Sequence, residues 1–440
     1  MNRLTKRTLL STAIAVATFQ AHGAGFQISE HSASGLGRAF AGEAAIADNA
    51  AVAARNPAAM TMFDSAQVSG GISYIEPEVD TTLKSSSVTD PSNGNTTQTG
   101  GETYSDVAPS AAVPYFHYIR PLNDKMAVGF STFSNFGLAT EYPSDALAGP
   151  GAGESELLTI DFNANFAYEI NEQWSVGAGL NAVYADASLT RNAGNLAPGL
   201  AGLGITGATD ETAHLEGDGW GFGWNLGALW QINENNRLGL AYRSEVDVTL
   251  EGDYRGTSTA FAGKPGATVP GELELNLPDI LEFSGYHKVA PKWAVHYSAM
   301  RTGWSSFQEL RATGASTDCV DSGTSPGVCL QKDEKWDDSW RYSVGATHYL
   351  NNQWTLRAGF AYDESPVPED HRTMSIPDTD RYWYSVGATY VASDSLTIDG
   401  GLAYLNGDSE TATETEATGT YVFEAGGDAY ILAIGANYTF

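Results

Sequence analysis

The chain has 440 residues and a formal net charge of −30, with only 17% charged residues, 48 glycines and 21 tyrosines. Such acidity disfavours nucleic acids and other polyanionic partners, because like charges repel. No apolar stretch beyond the first residues is long enough for a membrane-spanning helix, which excludes a helical membrane protein. The composition suits a β-barrel instead.

The first residues in chain order, 1–23, predict a signal peptide. Arg3, Lys6 and Arg7 precede an apolar stretch over residues 9–19, and the small residues of 21–23 follow as cleavage positions. This order is typical of a secretory signal, and the apolar stretch is too short for a retained anchor.

Very short turns alternate with long polar loops along the rest of the chain. The six turns lie at residues 121–125, 171–173, 233–236, 290–292, 351–353 and 392–395. Six turns, two chain ends and seven opposing loops predict fourteen strands, with both termini on the periplasmic side of an outer membrane. A soluble propeller would show a blade-by-blade sequence repeat, and we find none.

Alternation within the strands predicts one face toward lipid. In the last strand Tyr430, Leu432, Ile434, Ala436 and Tyr438 share a face opposite Ala429, Ala433, Gly435 and Asn437. The ten steps from Trp174 to Tyr184 span about 33 Å, which a strand tilt of about 40–45° reduces to about 25 Å of membrane height. A soluble antiparallel sandwich is the alternative, but its turns would be short at both ends.

We therefore predict an all-β transmembrane protein, a 14-stranded antiparallel β-barrel over residues 66–440. Residues 24–65 are rich in Ala and Gly and have too little apolar bulk to fold alone. We expect them to fill the barrel lumen as a small helical hatch, which argues for passive transport and against an open general porin. The terminal Phe440 resembles the signature recognised by the barrel-assembly machinery.

Cys319 and Cys329 lie in one predicted outer loop, and in an exported protein this predicts a disulfide. Two thiols without nearby His do not complete a metal site, so we expect no metal and no cofactor. The eight His residues show no Ser or Asp constellation, so we do not expect an enzyme. Acidic outer loops are either simply solvated or bridged to lipopolysaccharide by divalent cations.

Several motifs in order resemble one family over essentially all of residues 24–440. They are Ala24-Gly-Phe-Gln27, Ser34-Gly-Leu-Gly-Arg-Ala39, Arg55-Asn-Pro-Ala58, Ser134-Asn-Phe-Gly137, Trp220-Gly-Phe-Gly-Trp-Asn225, Tyr242-Arg-Ser-Glu-Val246 and Ser375-Ile-Pro-Asp378. Together they look like the FadL family of outer-membrane long-chain fatty acid transporters. The resemblance implies a monomer whose partners are long-chain fatty acids or other hydrophobic small molecules.

The resemblance also implies a lumen pocket in which Arg191 and Lys332 hold the cargo carboxylate. Alternation on its strand directs Arg191 inward, whereas the same count directs Lys332 outward unless a bulge intervenes. Arg341 is a rival for the role. Alternatively, each cation simply pairs with lumen acids such as Glu245 or Asp247.

Apolar residues in two long loops predict an outer collection groove, since exposed apolar patches usually mark binding. They are Leu196, Leu200, Leu203 and Ile205 in one loop and Phe261 in another. Alternatively, these loops pack on each other and cap the barrel. Family members form a groove here, and the loops of this chain look shorter.

For release, the resemblance implies an inward kink in the third strand and a lateral opening beside the hatch. The residues concerned are Ala111, Ser134, Asn135, Phe136 and Gly137, with Phe26, Asn56, Pro57 and Ala58 as hatch and gate. We expect ligand binding to shift Phe26, the Asn56-Pro57-Ala58 turn to hold the hatch at the gap, and cargo to leave sideways. A channel for aromatic or aliphatic hydrocarbons, which relatives also carry, is the main alternative.

Overall fold

The computed structural model describes residues 25–89, 94, 96–203, 205–256, 260–261, 264–315, 319, 326–416 and 419–440. The side chains of residues 199–203, 260–261, 264–265 and 416 lie outside this description, as does the predicted signal peptide at 1–23. In the part of the chain described, no helix has both the length and the apolar character needed to cross a membrane.

Within the described residues, fourteen strands form one closed antiparallel β-barrel. Letters mark the pieces of interrupted strands, which are β1 (Gln67–Thr89), β2a (Thr96–Thr99), β2b (Glu102–Tyr104), β2c (Ala111–Asn123), β3a (Met126–Phe133), β3b (Gly137–Glu141), β4 (Gly153–Asn171), β5 (Trp174–Asn192), β6 (Glu211–Asn233), β7a (Asn236–Arg243), β7b (Val246–Gly256), β8a (Thr268–Leu277), β8b (Ile280–Ala290), β9a (Trp293–Thr302), β9b (Glu309–Gly314), β10a (Val328–Asp333), β10b (Ser339–Tyr349), β11 (Trp354–Asp363), β12 (Arg381–Ser393), β13a (Leu396–Gly407), β13b (Glu410–Glu416) and β14 (Gly419–Thr439).

Pairing of the first strand with the last closes the barrel. The β1–β14 register runs from Gln67 opposite Thr439 to Val88 opposite Gly419. Consecutive strands pair around the rest of the wall. The predicted strand count and antiparallel closure are confirmed.

The outer wall carries the apolar band predicted from the alternation. Leu180 and Phe222 are 71% and 76% exposed, while the neighbouring Asn181 points to the lumen and is 3% exposed. Stacked rings mark the short-turn end, where the Trp174 and Trp230 ring centroids lie 5.3 Å apart. Because a lipid bilayer solvates such a surface and water does not, this band is the membrane-facing zone.

The hatch, residues 25–65, lies inside the barrel and contains three short helical segments. They are α1 (Ala33–Leu36), α2 (Val52–Arg55) and the 3₁₀-helix Pro57–Met62. Ser32 Oγ accepts the Gly35 N–H at 3.0 Å, and Asn56 Oδ1 accepts the Ala58 N–H at 3.1 Å. These caps satisfy main-chain donors that water cannot reach in the lumen.

Inward-facing glycines allow the hatch main chain to approach the wall. A Cβ atom at Gly359 would overlap the main chain of Arg38, and one at Gly239 would overlap that of Ala44. Gly177, Gly345, Gly387 and Gly401 of the wall also lie close to hatch main chain, and Gly129 and Gly227 lie close to hatch side chains. The hatch is therefore fitted to these positions by shape.

Ion pairs complement this fit. Arg38 of the hatch bonds Asp48 at 2.7 Å, and Asp48 also lies 3.3 Å from Arg357 on β11. Arg55 bonds Glu282 on β8b at 2.8 Å. Because an unpaired charge in this low-dielectric interior is costly, each bond restricts where the hatch can sit.

We predict that Gly359→Ala lowers the thermal unfolding midpoint of the barrel in detergent, because the added methyl displaces the Arg38 main chain. Overpacking of this kind costs about 1–3 kcal/mol. Gly400→Ala is the matched control, since a Cβ at Gly400 meets nothing within 4 Å. Circular dichroism melts that coincide for the two variants would contradict the tight fit.

Candidate functional site

An apolar cavity of about 160 Å³ lies in the outer half of the barrel, above the hatch. Its walls come from strands β3b, β4, β5, β6, β7b, β8a, β9b and β10a. The apolar lining residues are Phe26, Leu138, Leu157, Leu189, Leu215, Leu250, Leu273, Leu275, Phe307, Leu310, Leu330 and Ile376. Two cations, Arg191 and Lys332, also line it, so an elongated apolar ligand with an anionic end matches the cavity in character.

Arg191 lies near the outer end of β5 and is 8% exposed. Its guanidinium donates to the main-chain oxygens of Glu154 at 3.0 Å and Thr190 at 2.9 Å, and to Ser155 Oγ at 3.2 Å. These carbonyl and hydroxyl acceptors orient the guanidinium. Because a guanidinium stays charged in proteins, Arg191 can attract a carboxylate.

Lys332 lies on β10a, and its Nζ donates to Glu414 Oε1 on β13b at 2.6 Å. The even-numbered residues Leu330 and Lys332 line the cavity, whereas the odd-numbered Ser339 and Arg341 are the buried ones on β10b. The irregular segment 334–338 between the two pieces changes the alternation, which explains why counting along the strand directed Lys332 outward.

The rival residue Arg341 does not line this cavity. It donates to Ser29 Oγ at 3.0 Å, and its guanidinium lies 4.2 Å from the centre of the Trp383 ring. Arg341 therefore anchors the hatch. The suggestion that Glu245 and Asp247 are lumen partners is wrong, because Asp247 is exposed on β7b and Glu245 is exposed just before that strand. The acid that pairs with Lys332 is Glu414.

Phe26 forms the floor of the cavity with four other aromatic residues. Its ring centroid lies 4.5 Å from Trp304, 5.4 Å from Phe307, 5.6 Å from Trp336 and 6.0 Å from Phe136. Such edge-to-face contacts add about 0.5–1.5 kcal/mol each to the apolar burial. The cluster separates the cavity from the lumen below.

The third strand is interrupted beside this cluster. Phe133 pairs with Asp161 and Gly137 with Leu158, so residues 134–136 face only two residues of β4. Within residues 111–141, all of them described, the β2c–β3a ladder ends at Phe116 and Thr132, while β2c continues along β1 to Ala111. The wall therefore lacks a ladder between β2c and β3b.

The N-terminal segment of the hatch fills this break. The Ile28 N–H donates to Asn135 O at 2.7 Å, and the Gly137 N–H donates to Phe26 O at 2.8 Å. Gln27 and Phe136 form an isolated antiparallel bridge between these bonds. His31 Nε2 lies 3.0 Å from Ser134 O. Residues 26–31 thus close the break from the lumen side.

The expectation that Asn56, Pro57 and Ala58 hold the hatch at the third strand is wrong. Asn56 Nδ2 donates to Ala228 O on β6 at 3.1 Å, and Pro57 and Ala58 pack on Gly177 and Gly227. The hatch main chain approaches the wall most closely at glycines, which places this turn against β5 and β6.

The predicted outer groove is only partly described. Leu196, in the 3₁₀-helix Gly194–Leu203, is 6% exposed and belongs to a buried cluster with Met374 and Tyr421. Ile205 is 8% exposed. Both therefore cap the barrel and are not exposed groove residues. The side chains of Leu200, Leu203 and Phe261 lie outside the described residues.

A disulfide links Cys319 to Cys329 beside the β9b–β10a hairpin. In the described ranges, no group of three or more His, Cys, Asp or Glu is arranged to hold a metal ion.

Sequence reasoning missed two acids beside Lys332. Glu414 lies in a Thr-Glu repeat that looks like a solvated loop, but it is 6% exposed and also accepts the Met374 N–H at 3.0 Å. Glu334 is 1% exposed, and burial raises the pKa of its carboxyl to about 7, against the opposing effect of Lys332. Nothing in the sequence of residues 334–338 indicates that the chain turns inward there and buries Glu334.

A closed barrel with its N-terminal segment in the lumen, beneath an apolar cavity, defines an outer-membrane channel for hydrophobic small molecules. Residues 14–440 match the family described as outer membrane protein transport protein (OMPP1/FadL/TodX). The chain belongs to this family.

Named relatives and solved structures agree with this assignment. The chain is 43% identical over 457 residues to the long-chain fatty acid transport protein of Escherichia coli O6:H1, covering 99% of this chain and 98% of the relative. A Pseudomonas aeruginosa FadL homologue superposes with a TM-score of 0.81 at 22% identity, over 95% of this chain and all of that one. The Pseudomonas putida toluene transporter TodX gives a TM-score of 0.64 at 18% identity, over 96% and 99%.

The raised pKa of Glu334 predicts a pH-dependent stability. The folded state binds the proton of the Glu334 carboxyl more tightly than the unfolded chain does. Its contribution to the free energy of unfolding is therefore complete below pH 4.5 and is lost as the pH rises through about 7. We expect Glu334→Gln to flatten the fall in melting midpoint over that range. Glu172→Gln, at an exposed position, is the control. If the melting midpoint of Glu334→Gln fell with pH as steeply as that of the wild type, the raised pKa of buried Glu334 would be contradicted.

Proposed function

We propose that this protein carries long-chain fatty acids passively across the outer membrane, by capture in the apolar cavity and lateral release through the third strand. The observation that carries the proposal is the pairing of an apolar, roofed cavity with Arg191 and Lys332 on its wall. The fatty acid transport proteins that share about two-fifths of its sequence support the same cargo.

Transfer of the alkyl tail drives capture. Each buried CH₂ contributes roughly 0.8 kcal/mol, so a long chain partitions strongly into the leucine-lined cavity. The carboxylate opposes this transfer unless it meets donors or cations. Arg191 and Lys332 supply both, and the carboxylate replaces Glu414 as the partner of Lys332.

Release follows from the position of the hatch N-terminus. Phe26 is at once the floor of the cavity and part of the segment that fills the break in the third strand. A tail that presses on the Phe26 cluster therefore loosens residues 26–28. Once they withdraw, the wall between β2c and β3b has no ladder to close it, and cargo passes into the membrane.

The second candidate is a channel for aromatic or aliphatic hydrocarbons. The 2.6 Å bond from Lys332 to Glu414 favours it, because it leaves that lysine neutralised when the cavity is empty. A neutral cargo would leave this bond intact and would need neither cation.

The cation requirement distinguishes the two cargoes. We expect Arg191→Ala combined with Lys332→Ala to weaken oleate binding tenfold or more, because hydrogen bonds to charged groups contribute about 1.5–3 kcal/mol each. Toluene binding should change little. Purified protein in detergent gives both values by titration.

Lys84→Ala combined with Arg255→Ala is the matched control, since it removes two cations that pair with Glu424 and Glu211 on the exposed outer surface. Oleate affinity that is equal in both double variants would favour hydrocarbon transport.

The lateral exit predicts a separation of uptake from binding. Ala111, 1% exposed at the start of β2c, borders the break. We expect Ala111→Glu to reduce oleate uptake by cells about tenfold or more, because the carboxylate occupies an apolar exit, while oleate affinity stays unchanged. Ala111→Ser is the small control. Wild-type uptake by Ala111→Glu cells would count against lateral release.

A further inference from the structure

A second, smaller cavity lies below the Phe26 cluster, level with the break in the third strand. Its lining includes Asn135 and Phe136 of the break, Asp161 of β4, Asn181 of β5 and Arg243 of β7a. Its volume is about 10 Å³, room for a single water-sized group. Because Asn135 and Phe136 line it, this cavity adjoins the break through which cargo would leave under the proposed mechanism.

Arg243 is held in place at this cavity. Its guanidinium donates to Asp161 Oδ2 at 3.0 Å, to Asn181 Oδ1, and to the main-chain oxygen of Ala54 at 2.8 Å. Asn135 Nδ2 donates to the same Asp161 oxygen at 3.0 Å. Asp161 Oδ2 therefore accepts from both Arg243 and Asn135.

The other polar atom of each partner is unused. Asp161 and Asn181 are 2% and 3% exposed, and among the residues that the structure describes neither Asp161 Oδ1 nor Asn181 Nδ2 has a hydrogen-bond partner. The amide orientation of Asn181 is fixed, because Arg243 and Asn163 both donate to its oxygen. Two residues that line the cavity thus each carry one unpaired polar atom, an acceptor on Asp161 and a donor on Asn181.

This pair of atoms matches a protonated carboxyl group. A carboxylic acid donates one hydrogen bond through its O–H and accepts one through its C=O, whereas a carboxylate only accepts and would face the charge of Asp161. Buried polar atoms without partners cost about 1–3 kcal/mol each, so a ligand that satisfies both is favoured.

We propose that Asp161 and Asn181 form a second head-group site, which binds fatty acid in its neutral form just before lateral release. The O–H donates to Asp161 Oδ1 and the C=O accepts from Asn181 Nδ2. The proton comes from external water: a carboxylate that leaves Arg191 and Lys332 takes up one proton from solvent, and only the molecules that have done so fit the lower site. A neutral head group also enters hydrocarbon at far lower cost than a carboxylate.

This inference rests on the proposed fatty acid transport, because a head group reaches the site only after the Phe26 cluster shifts. It extends that proposal by assigning two head-group binding sites. The upper site, at Arg191 and Lys332, binds the carboxylate, and the lower site, at Asp161 and Asn181, binds the protonated acid.

Two isosteric substitutions keep the oxygens that are already hydrogen-bonded and replace the free atoms. Each also changes the local charge by one unit, and Asp161→Asn removes the carboxylate that pairs with Arg243. Asn181→Asp keeps the oxygen that Arg243 and Asn163 use and replaces the free donor with an acceptor. Asp161→Asn keeps the oxygen that Arg243 and Asn135 use and replaces the free acceptor with a donor. The first variant repels a carboxylate, and the second, with two donors, holds the anion and delays its release.

The experiment compares initial uptake of oleate and of oleyl alcohol by cells that lack their own fatty acid transporter and express each variant. We expect both variants to slow oleate uptake at least fivefold. Oleyl alcohol uptake should stay within twofold of wild type, because a hydroxyl can both donate and accept. Oleate binding to purified protein should be unchanged in Asn181→Asp, because the upper site is intact, and should not be weaker than wild type in Asp161→Asn, which can also hold the anion.

Asn225→Asp, the same chemical change on β6 and outside this cavity, is the matched control and should carry oleate normally. Heat-modifiable migration on gels verifies that each barrel has folded. Wild-type oleate uptake by both isosteric variants would overturn the proposal and leave the cavity to a bound water. Failure of the wild-type protein itself to carry oleate would instead overturn the fatty acid assignment.

Discussion

The structure depends on a short piece of main chain that completes a broken strand from the inside. Two hydrogen bonds, from Ile28 N–H to Asn135 O and from Gly137 N–H to Phe26 O, replace the wall ladder that residues 134–136 cannot make. Main-chain groups at bilayer depth must find partners, and here the hatch provides them. The barrel is therefore sealed only while residues 26–28 stay in place.

Under the proposed mechanism, this arrangement couples ligand binding in the cavity to opening of the wall. Phe26 contacts the cavity through its ring and the third strand through its carbonyl oxygen. A ligand that displaces the ring therefore acts on the seal directly, without a signal through the barrel. The rest of the hatch, fixed by wall glycines and by the Arg38 and Arg55 ion pairs, can stay where it is.

Under the proposed mechanism, electrostatic interactions along the path influence which ligands the protein carries. Buried cations near the cargo path all have polar partners, as in Lys332 with Glu414 and Arg243 with Asp161. An incoming anion must exchange with such a partner, which offsets much of its attraction to the cation. Under the proposed mechanism, selectivity for the ligand then comes from Arg191 and Lys332 together with the unpaired polar atoms of Asp161 and Asn181 and the apolar lining of the cavity.

Much of the fold follows from the sequence because strand alternation and turn lengths are local. The outward faces around Leu180 and Phe222, the strand count and the lumen direction of Arg191 are all of this kind. The inward position of Lys332 is not, since the segment 334–338 reverses the alternation without a local signal. The burial of Glu414 also could not be predicted, because its Thr-Glu surroundings resemble a solvated loop. The position of Asn56 could not be predicted either, because wall glycines far away in the sequence determine it.

A reversible lock between the hatch and the third strand tests the account most directly. Gln27 and Phe136 form a non-hydrogen-bonded antiparallel pair, whose Cα atoms lie close enough for a disulfide. With cysteine at both positions, the oxidised protein should bind oleate but fail to carry it into cells, and a reductant should restore uptake. Full uptake by the oxidised, locked protein would contradict lateral release through the third strand.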